Sequence, residues 1–224
     1  MQHKLIVFDW DGTLMDSEAR IIACMRGAIE DLRLAGRSDN DIRNIIGLGL
    51  RESVATLYPD LSSNDYQALV DRYRYHFLEG DKTPSLLFEG VIPLLSQLLE
   101  KGHLLAVATG KGRAGLDKVL DETGLHAVFN TTRCADETIS KPHPKMLLDI
   151  MAEIDVGTTD TLMVGDSEYD LQMANNAGTD ALAVSYGVHE KQRLLDCNPL
   201  NCVDSIAELS DWLLNNPSPE IAKG

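Results

Sequence analysis

Cysteine, aromatic side chains and positive charge are all scarce in this chain. Of its 224 residues, four are cysteines, 5% are Phe, Trp or Tyr, and 20 Lys and Arg stand against 35 Asp and Glu. The cysteines form no C-x-x-C pair and do not combine with histidines at zinc-site spacing; they are Cys24, Cys134, Cys197 and Cys202. We therefore expect free thiols that mostly pack in the interior, as is usual in a reducing cytoplasm.

The shortage of positive charge limits the possible partners. The formal net charge is −15 and the sequence pI is about 4.7. A protein that binds the nucleic-acid backbone needs a basic face, so the sequence argues against nucleic acid as a partner. A small anionic substrate stays compatible with the composition, because the local charge of a site can oppose the global sign.

Long apolar runs are missing as well. The first apolar run, Leu5 to Phe8, has four residues. A signal peptide needs about 7–15 such residues and a membrane span about 18 or more. The sequence thus predicts neither a leader nor a membrane partner, and it favours a cytoplasmic location. Residues 216–224 carry Pro and Ser without apolar periodicity, and we expect them to form a flexible tail.

The sequence does contain a series of short, continuous apolar segments of the kind that form buried strands. They are residues 4–9, 103–109, 160–166 and 180–187, with a weaker candidate at 127–132. Helical patterns lie between the later segments, for example an apolar stripe from Met146 to Ile154. This alternation predicts an α/β fold built on a doubly wound parallel sheet.

The stretch between the first two strands, residues 10 to 103, is several times longer than a crossover needs. Most of it has helical periodicity. We therefore predict an inserted α-helical subdomain at residues 16–84, within an α/β core made of residues 1–15 and 85–215.

Polar residues follow each clear strand. In an open α/β sheet, ligands bind at the carboxyl ends of the strands. Here the first strand is followed by Asp-Trp-Asp-Gly-Thr, the second ends in Thr-Gly-Lys, and the third ends in Gly-Asp, with a lysine in the loop before it. The candidate residues at this edge are Asp9, Asp11, Thr13, Thr109, Gly110, Lys141, Asp166 and Asp170.

Clustered carboxylates repel one another unless a cation or a proton intervenes. Asp9 and Asp166 together suit Mg²⁺, and Lys141 can place a positive charge beside a phosphate oxygen. An aspartate can also act as a nucleophile and form an aspartyl-phosphate, while Asp11 could move the proton. Each motif alone also fits a structural role, such as Asp166 or Ser167 capping a helix. Their joint occurrence at strand ends favours phosphoryl-transfer chemistry.

These motifs resemble those of the haloacid dehalogenase superfamily, and in particular its phosphoglycolate-phosphatase-like group. The four motifs are Asp-Trp-Asp-Gly-Thr at 9–13, Thr109, Lys141, and Gly-Asp-Ser-Glu-Tyr-Asp at 165–170. The resemblance extends to about residue 210. It implies a Rossmann-like core with a helical cap, of the type called C1, inserted just after the first motif.

The resemblance also implies a metal site. Asp9 is expected as the nucleophile and as a ligand of Mg²⁺. Asp11 is expected as the general acid and base, and its main-chain carbonyl as a second ligand. Asp166 is expected as the remaining protein ligand. Because the dehalogenase branch lacks an acid at the position of Asp11 and does not use Mg²⁺, Asp11 favours phosphoryl transfer over carbon–halogen cleavage.

For the phosphate, the resemblance implies Thr109, Gly110 and Lys141 as binding residues. Thr13 is expected to orient the loop of the first motif, and Asp170 to position Lys141 or a metal-bound water. Many relatives carry Asn where this chain has Gly110. We expect that difference to leave activity intact and to alter contacts with the phosphate or the leaving group.

The inserted helices should select the substrate. The loop at residues 45–53 contains two glycines, and Arg51 in it could reach an anionic group or could be a solvated residue at a helix start. Tyr66, Tyr73 and Phe77 share one helical face and are predicted to form part of the core of the cap.

The sequence favours a Mg²⁺-dependent phosphatase that acts on a small phosphorylated metabolite, phosphoglycolate or another phosphomonoester. The alternative enzymes are a sugar phosphomutase like β-phosphoglucomutase, and a pyrophosphatase or nucleotidase. The non-enzymatic alternative is a regulator that binds a phosphorylated ligand. The sequence does not decide between a monomer and a dimer.

Overall fold

A six-stranded parallel sheet forms the centre of the computed structural model, which describes residues 3–215. The predicted tail at 216–224 lies outside the described residues. The strand order is β5-β4-β1-β6-β7-β8. These strands are β1 (Leu5–Phe8), β4 (Leu104–Thr109), β5 (Thr131–Cys134), β6 (Thr161–Gly165), β7 (Asp180–Val184) and β8 (Asn201–Val203).

The first strand lies inside the sheet, where it pairs with β4 on one side and β6 on the other. Leu5 pairs with Leu104 and with Thr161. All four β1 residues are buried, as expected for a parallel strand covered on both faces. The three strands end close together, so the residues that follow Phe8 lie in the middle of the carboxyl edge.

Two layers of helix cover the sheet, and the alternation of side chains in β1 assigns its residues to them. Ile6 and Phe8 pack with one helix set, whereas Leu5 and Val7 pack with the other. The first set is α5 (Val91–Glu100), α6 (Arg113–Thr123) and α10 (Ile206–Asn215). The second set is α7 (Lys145–Ile154), α8 (Glu168–Ala177) and α9 (Lys191–Leu195). The predicted doubly wound α/β sheet is therefore confirmed.

The segment between β1 and β4 is mostly helical and has an apolar cluster of its own, which includes Met25, Ile42, Val54 and Leu69. We call its first four helices the cap helices: α1 (Glu18–Asp31), α2 (Asp39–Arg43), α3 (Leu50–Leu57) and α4 (Ser63–Tyr75). Two short antiparallel strands, β2 (Met15–Asp16) and β3 (Leu86–Leu87), pair where the segment leaves and rejoins the core. The boundaries at 16 and 84 stay a prediction.

The helix α4 continues into a wider π-helical turn, His76–Gly80, which the sequence did not indicate. Such turns often occur at functional sites. This one brings Phe77 against Gly115 and Lys111 of the core. The face shared by Tyr66, Tyr73 and Phe77 is therefore not only cap core, since Phe77 packs on the sheet domain.

The sequence analysis placed one strand at the wrong residues and did not predict several other elements. The strand expected at 127–132 lies at Thr131–Cys134 and follows a 3₁₀ turn. The strand β8 and the helices α8, α9 and α10 were not predicted as elements. Within residues 3–215 we find no helix whose length and apolar character would suit a membrane crossing.

Candidate active site

The sheet brings Asp9, Lys141 and Asp170 into direct contact. Asp9 follows β1, Lys141 lies in the loop before α7, and Asp170 lies in the first turn of α8. Lys141 Nζ donates to Asp9 Oδ1 at 2.7 Å and to Asp170 Oδ1 at 2.6 Å. All three side chains are at most 1% exposed. The predicted proximity of these residues is thus confirmed, although their catalytic roles stay predictions.

Asp166, at the end of β6, is fixed by two donors. Thr13 Oγ1 donates to its Oδ1 and the Val188 main-chain N–H donates to its Oδ2, both at 2.8 Å. Gly12, with φ +83°, and Gly187 pass so close to this carboxylate that a Cβ at either position would overlap it. Thr13 therefore orients Asp166 itself, and Gly187 is a site residue that sequence reasoning missed.

Asp170 has two functions in the structure. Its Oδ2 accepts hydrogen bonds from the Ser167 main-chain N–H at 3.1 Å and from Ser167 Oγ at 2.6 Å, which caps α8. Its Oδ1 holds Lys141. Ser167 is thus the capping residue of α8, and Asp170 contacts Lys141, while its role in positioning that lysine stays a prediction.

Burial and the neighbouring acids disfavour the charged forms of the carboxylates in this cluster. Burial raises the pKa of Asp9 well above its ordinary value of 3.8; Lys141 opposes the shift, and Asp170 and Asp166 add to it. Burial, with Asp170, raises the pKa of Asp166 to about 7. Burial alone would lower the pKa of Lys141, but Asp170 and Asp9 outweigh it and raise that pKa. Three buried acids thus share one lysine, which contacts two of them.

The donor set fits a hard cation. Carboxylate oxygens of Asp9, Asp166 and Asp170 lie within 4.8 Å of one another. Asp9 Oδ2 is buried and has no hydrogen-bond partner among the described residues. A buried, unpartnered carboxylate oxygen is costly unless a ligand meets it. Oxygen-only donors of this kind suit Mg²⁺.

The carboxylate of Asp11 lies outside that cluster and has partners of its own. Lys111 Nζ contacts its Oδ1 at 2.7 Å and its Oδ2 at 2.8 Å, and Ser17 Oγ donates to Oδ1 at 2.5 Å. If Asp11 ligates a metal, it would do so through its main-chain carbonyl, as the resemblance implies. Sequence reasoning missed Lys111 and Ser17; the only signal was the place of Lys111 two residues after Thr109.

Thr109 ends β4 with its side chain fully buried. Its hydroxyl accepts a hydrogen bond from the Lys111 main-chain N–H at 3.1 Å. The hydroxyl proton is left to donate to another acceptor. Thr109 therefore lies at the predicted strand end with a donor available, and its contact with phosphate stays a prediction.

The structure explains why glycine follows Thr109. A Cβ on Gly110 would lie 2.7 Å from the carbonyl oxygen of Gly47 and closer still to that of Leu48. Both carbonyls belong to the loop between α2 and α3 of the cap. A larger side chain such as Asn would not fit beneath this loop as it lies here.

We expect Gly110→Ala to lower kcat/KM by roughly ten-fold and to lower the melting temperature, because the added methyl group overpacks this junction at a cost of about 1–3 kcal/mol. The matched control is Gly157→Ala, since a Cβ there meets no atom within 4 Å. Steady-state kinetics and thermal melts measure both. Wild-type behaviour of the Gly110 variant would show that the loop yields easily.

The same cap loop is held on the core by hydrogen bonds. The Gly49 main-chain N–H donates to Ser140 Oγ at 2.7 Å. Tyr169 Oη donates to the Asn44 carbonyl and Arg193 Nη1 to Asn44 Oδ1, both at 2.9 Å. Residues 44–49 therefore form a docking loop that touches the segments carrying Lys141 and Asp170.

A cavity of about 160 Å³ lies between the cap and the core. Asp9 and Asp11 line it together with mostly apolar cap side chains, among them Met25, Ile45 and Phe77. Arg51 lies in the first turn of α3, exposed, with Nη2 3.4 Å from Gln67 Oε1. Arg51 thus lies at the cavity lining, and its contact with a substrate stays a prediction.

Comparison with known proteins agrees with this arrangement. The family model described as haloacid dehalogenase-like hydrolase matches residues 6–184. The chain is 34% identical over 209 residues to the probable phosphatase IndB of Dickeya dadantii, covering 92% of this chain and 91% of that protein. It is 29% identical to the phosphoglycolate phosphatase of Psychrobacter arcticus, covering 96% of this chain and 97% of that protein.

A solved structure shows the same architecture. A predicted phosphoglycolate phosphatase from Haemophilus somnus superposes with a TM-score of 0.82 at 25% identity, covering 93% of this chain and 97% of that one. The similarity extends over the cap helices as well as the sheet.

Proposed function

We propose that this chain, which belongs to the haloacid dehalogenase-like hydrolase family and is a phosphatase, hydrolyses a small phosphomonoester. The phosphoryl group would be carried on Asp9 during the reaction. The observation that carries this proposal is the state of the Asp9 carboxylate. Oδ1 is held by Lys141 and Oδ2 is buried without a partner among residues 3–215. Such an oxygen is fixed in place and is free to attack phosphorus.

In the first step, Asp9 Oδ2 forms a bond to phosphorus while the ester P–O bond breaks. The leaving oxygen takes a proton from Asp11, and an alcohol departs. In the second step, Asp11 takes a proton from water, the water oxygen attacks phosphorus, and the bond to Asp9 breaks. Inorganic phosphate leaves and the carboxylate of Asp9 is restored.

Lys141, Thr109 and Gly110 would bind the transferring group. Lys141 supplies a positive charge that two carboxylates already orient, so little reorganisation is needed during the reaction. The Thr109 hydroxyl and the Gly110 main-chain N–H supply donors at the end of β4. Asp170 and Ser167 act on the substrate only through Lys141.

The residues that would hold Mg²⁺ are Asp9, Asp166 and, through its main-chain carbonyl, Asp11. When bound, the cation would offset negative charge on the phosphoryl group and on the acids around it. Asp166 is oriented for this by Thr13 and Val188.

For the substrate, we favour a small ester of the phosphoglycolate type. The relative from Psychrobacter arcticus is named for phosphoglycolate, and most of the cap side chains that line the cavity are apolar. A pyrophosphatase or nucleotidase is the alternative within the phosphatases, and the phosphatase relatives disfavour the sugar phosphomutase and the non-enzymatic regulator. The four cysteines are free thiols, which is consistent with our proposal that the protein acts in the reducing cytoplasm.

Phosphate release from a panel of esters tests this function. Phosphoglycolate, pyrophosphate, a nucleotide and a hexose phosphate would be supplied with Mg²⁺ or with a chelator. We expect metal-dependent release, fastest from the small ester. Conversion of the hexose phosphate to an isomer without release would instead identify a mutase. No turnover of any compound, with tight binding of one, would identify a regulator.

A further inference from the structure

Lys111 is a buried cation beside the reacting groups. Its side chain is 6% exposed, and it lines the cavity two residues after Thr109. The ammonium contacts both oxygens of Asp11 and lies 4.3 Å from the centre of the Phe77 ring of the cap. Lys111 thus lies where the cavity meets the proton-transferring carboxylate.

This ion pair cannot stay as it is when an ester is bound. To protonate the leaving oxygen, Asp11 must carry a proton and turn it from Lys111 toward the substrate, so Asp11 no longer neutralises Lys111. A buried cation without its counter-ion is unfavourable unless another anion meets it. The ring of Phe77 gives only partial compensation.

Other cations of the described cavity lining are poorly placed for that role. Arg51 is exposed, and the side chain of Arg74 is 44% exposed. Lys141 lies outside this lining and is assigned to the phosphate in the proposed function. Lys111 is therefore the buried cation left for a second negative group, and its contact with Asp11 places that group within a few bonds of the ester oxygen.

We propose that Lys111 determines specificity by binding a carboxylate carried on the leaving group, next to the ester carbon. This proposal rests on the proposed function and narrows its substrate class. It selects small esters of 2-hydroxy acids over neutral alkyl esters and over sugars whose charges lie far from the phosphate.

The test compares phosphoglycolate with its amide, in which a neutral group of the same shape replaces the carboxylate. Binding would be measured by titration calorimetry with Mg²⁺ in the Asp9→Asn protein, which cannot turn the ligands over. We expect roughly ten-fold or tighter binding of the carboxylate, the range of a charge-assisted hydrogen bond. Lys111→Met should reduce that preference to about three-fold or less, with inorganic phosphate binding as the unchanged reference.

The matched control is Lys118→Met, since Lys118 lies on α6 away from the cavity lining and pairs with Glu122. Lys111→Gln serves as a second variant if Lys111→Met does not fold. The ratio of kcat/KM for the two ligands in the otherwise native protein is a second measurement. An equal loss of kcat on both ligands, with the binding preference intact, would overturn the proposal and leave Lys111 as a positioning residue for Asp11.

The test of the role of Lys111 can fail or succeed independently of the test of the proposed hydrolysis. Turnover of esters by the wild type without a carboxylate preference would refute the role of Lys111 alone. A preference lost in Lys111→Met, in a wild type that releases no phosphate, would support Lys111 and refute only the hydrolytic proposal.

Discussion

Asp9→Asn should lower the rate of phosphate release by at least about 10³-fold, yet should raise the melting temperature of the metal-free protein at pH 8. The loss of rate follows because an amide oxygen is a poor nucleophile. The gain in stability follows because Asn still accepts the hydrogen bond from Lys141, while an NH₂ group replaces the buried Oδ2 that has no partner among the described residues. At position 9, aspartate thus favours the reaction rate, whereas asparagine favours the stability of the metal-free fold.

The pH dependence of that gain has a defined sign. Burial raises the pKa of Asp9 above its ordinary value of 3.8. The unfolded chain therefore ionises first, and the stability of the folded wild type falls as pH rises above about 4. Below that pH the acid is protonated in both states, so the advantage of Asp9→Asn should vanish there and be greatest at alkaline pH.

Thermal melts with a chelator between pH 4 and pH 8 measure this advantage, and phosphate release with Mg²⁺ measures the rate. Asp16→Asn is the matched control, because Asp16 is an exposed acid a few residues away. We expect Mg²⁺ to raise the melting temperature of the wild type more than that of Asp9→Asn. A variant that turns over at the wild-type rate would remove Asp9 as the nucleophile.

Lys141→Met should destabilise the protein by about 3–5 kcal/mol, because removing one partner of a buried ion pair leaves an uncompensated charge. Here two carboxylates, Asp9 and Asp170, lose their shared cation. Methionine keeps the length of the side chain, so packing changes little. Activity should fall below detection, since the charge for the phosphate is lost as well.

Urea unfolding measures the stability of this variant. The control is Lys145→Met, since Lys145 is half-exposed and pairs only with Asp149 on its own helix. Adding Asp9→Asn to Lys141→Met should restore part of the lost stability without restoring activity. A loss below about 1 kcal/mol, the size of an exposed ion pair, would contradict the buried network.

The sequence predicted those site residues whose position follows from a single strand and its direction. Four buried residues before Asp9 fix a central parallel strand, and the carboxyl edge follows from that. The same reasoning placed Thr109 and Asp166. The capping role of Ser167 was visible because capping is local in sequence.

The unpredicted parts depend on packing between distant segments. Nothing near Lys111 indicates that it pairs with Asp11, since a lysine after a strand is usually solvated. Gly187 is required only because Asp166 lies against it. The edge strand β8 has three residues and the helix α9 has five, too few for a periodic pattern to stand out.

The hydrogen bond between Gly49 and Ser140 connects the cap loop, where the substrate would be recognised, to the neighbour of the proposed phosphate-binding residue Lys141. Ser140 immediately precedes Lys141, so the cap loop contacts the residue next to the lysine that is proposed to bind the phosphate. If a bulky ligand kept Gly49 away from Ser140, this hydrogen bond would be lost. The ligand would then bind without Lys141 being held in its place. Such compounds should act as competitive inhibitors: the site would bind them but would not turn them over, because of their size alone.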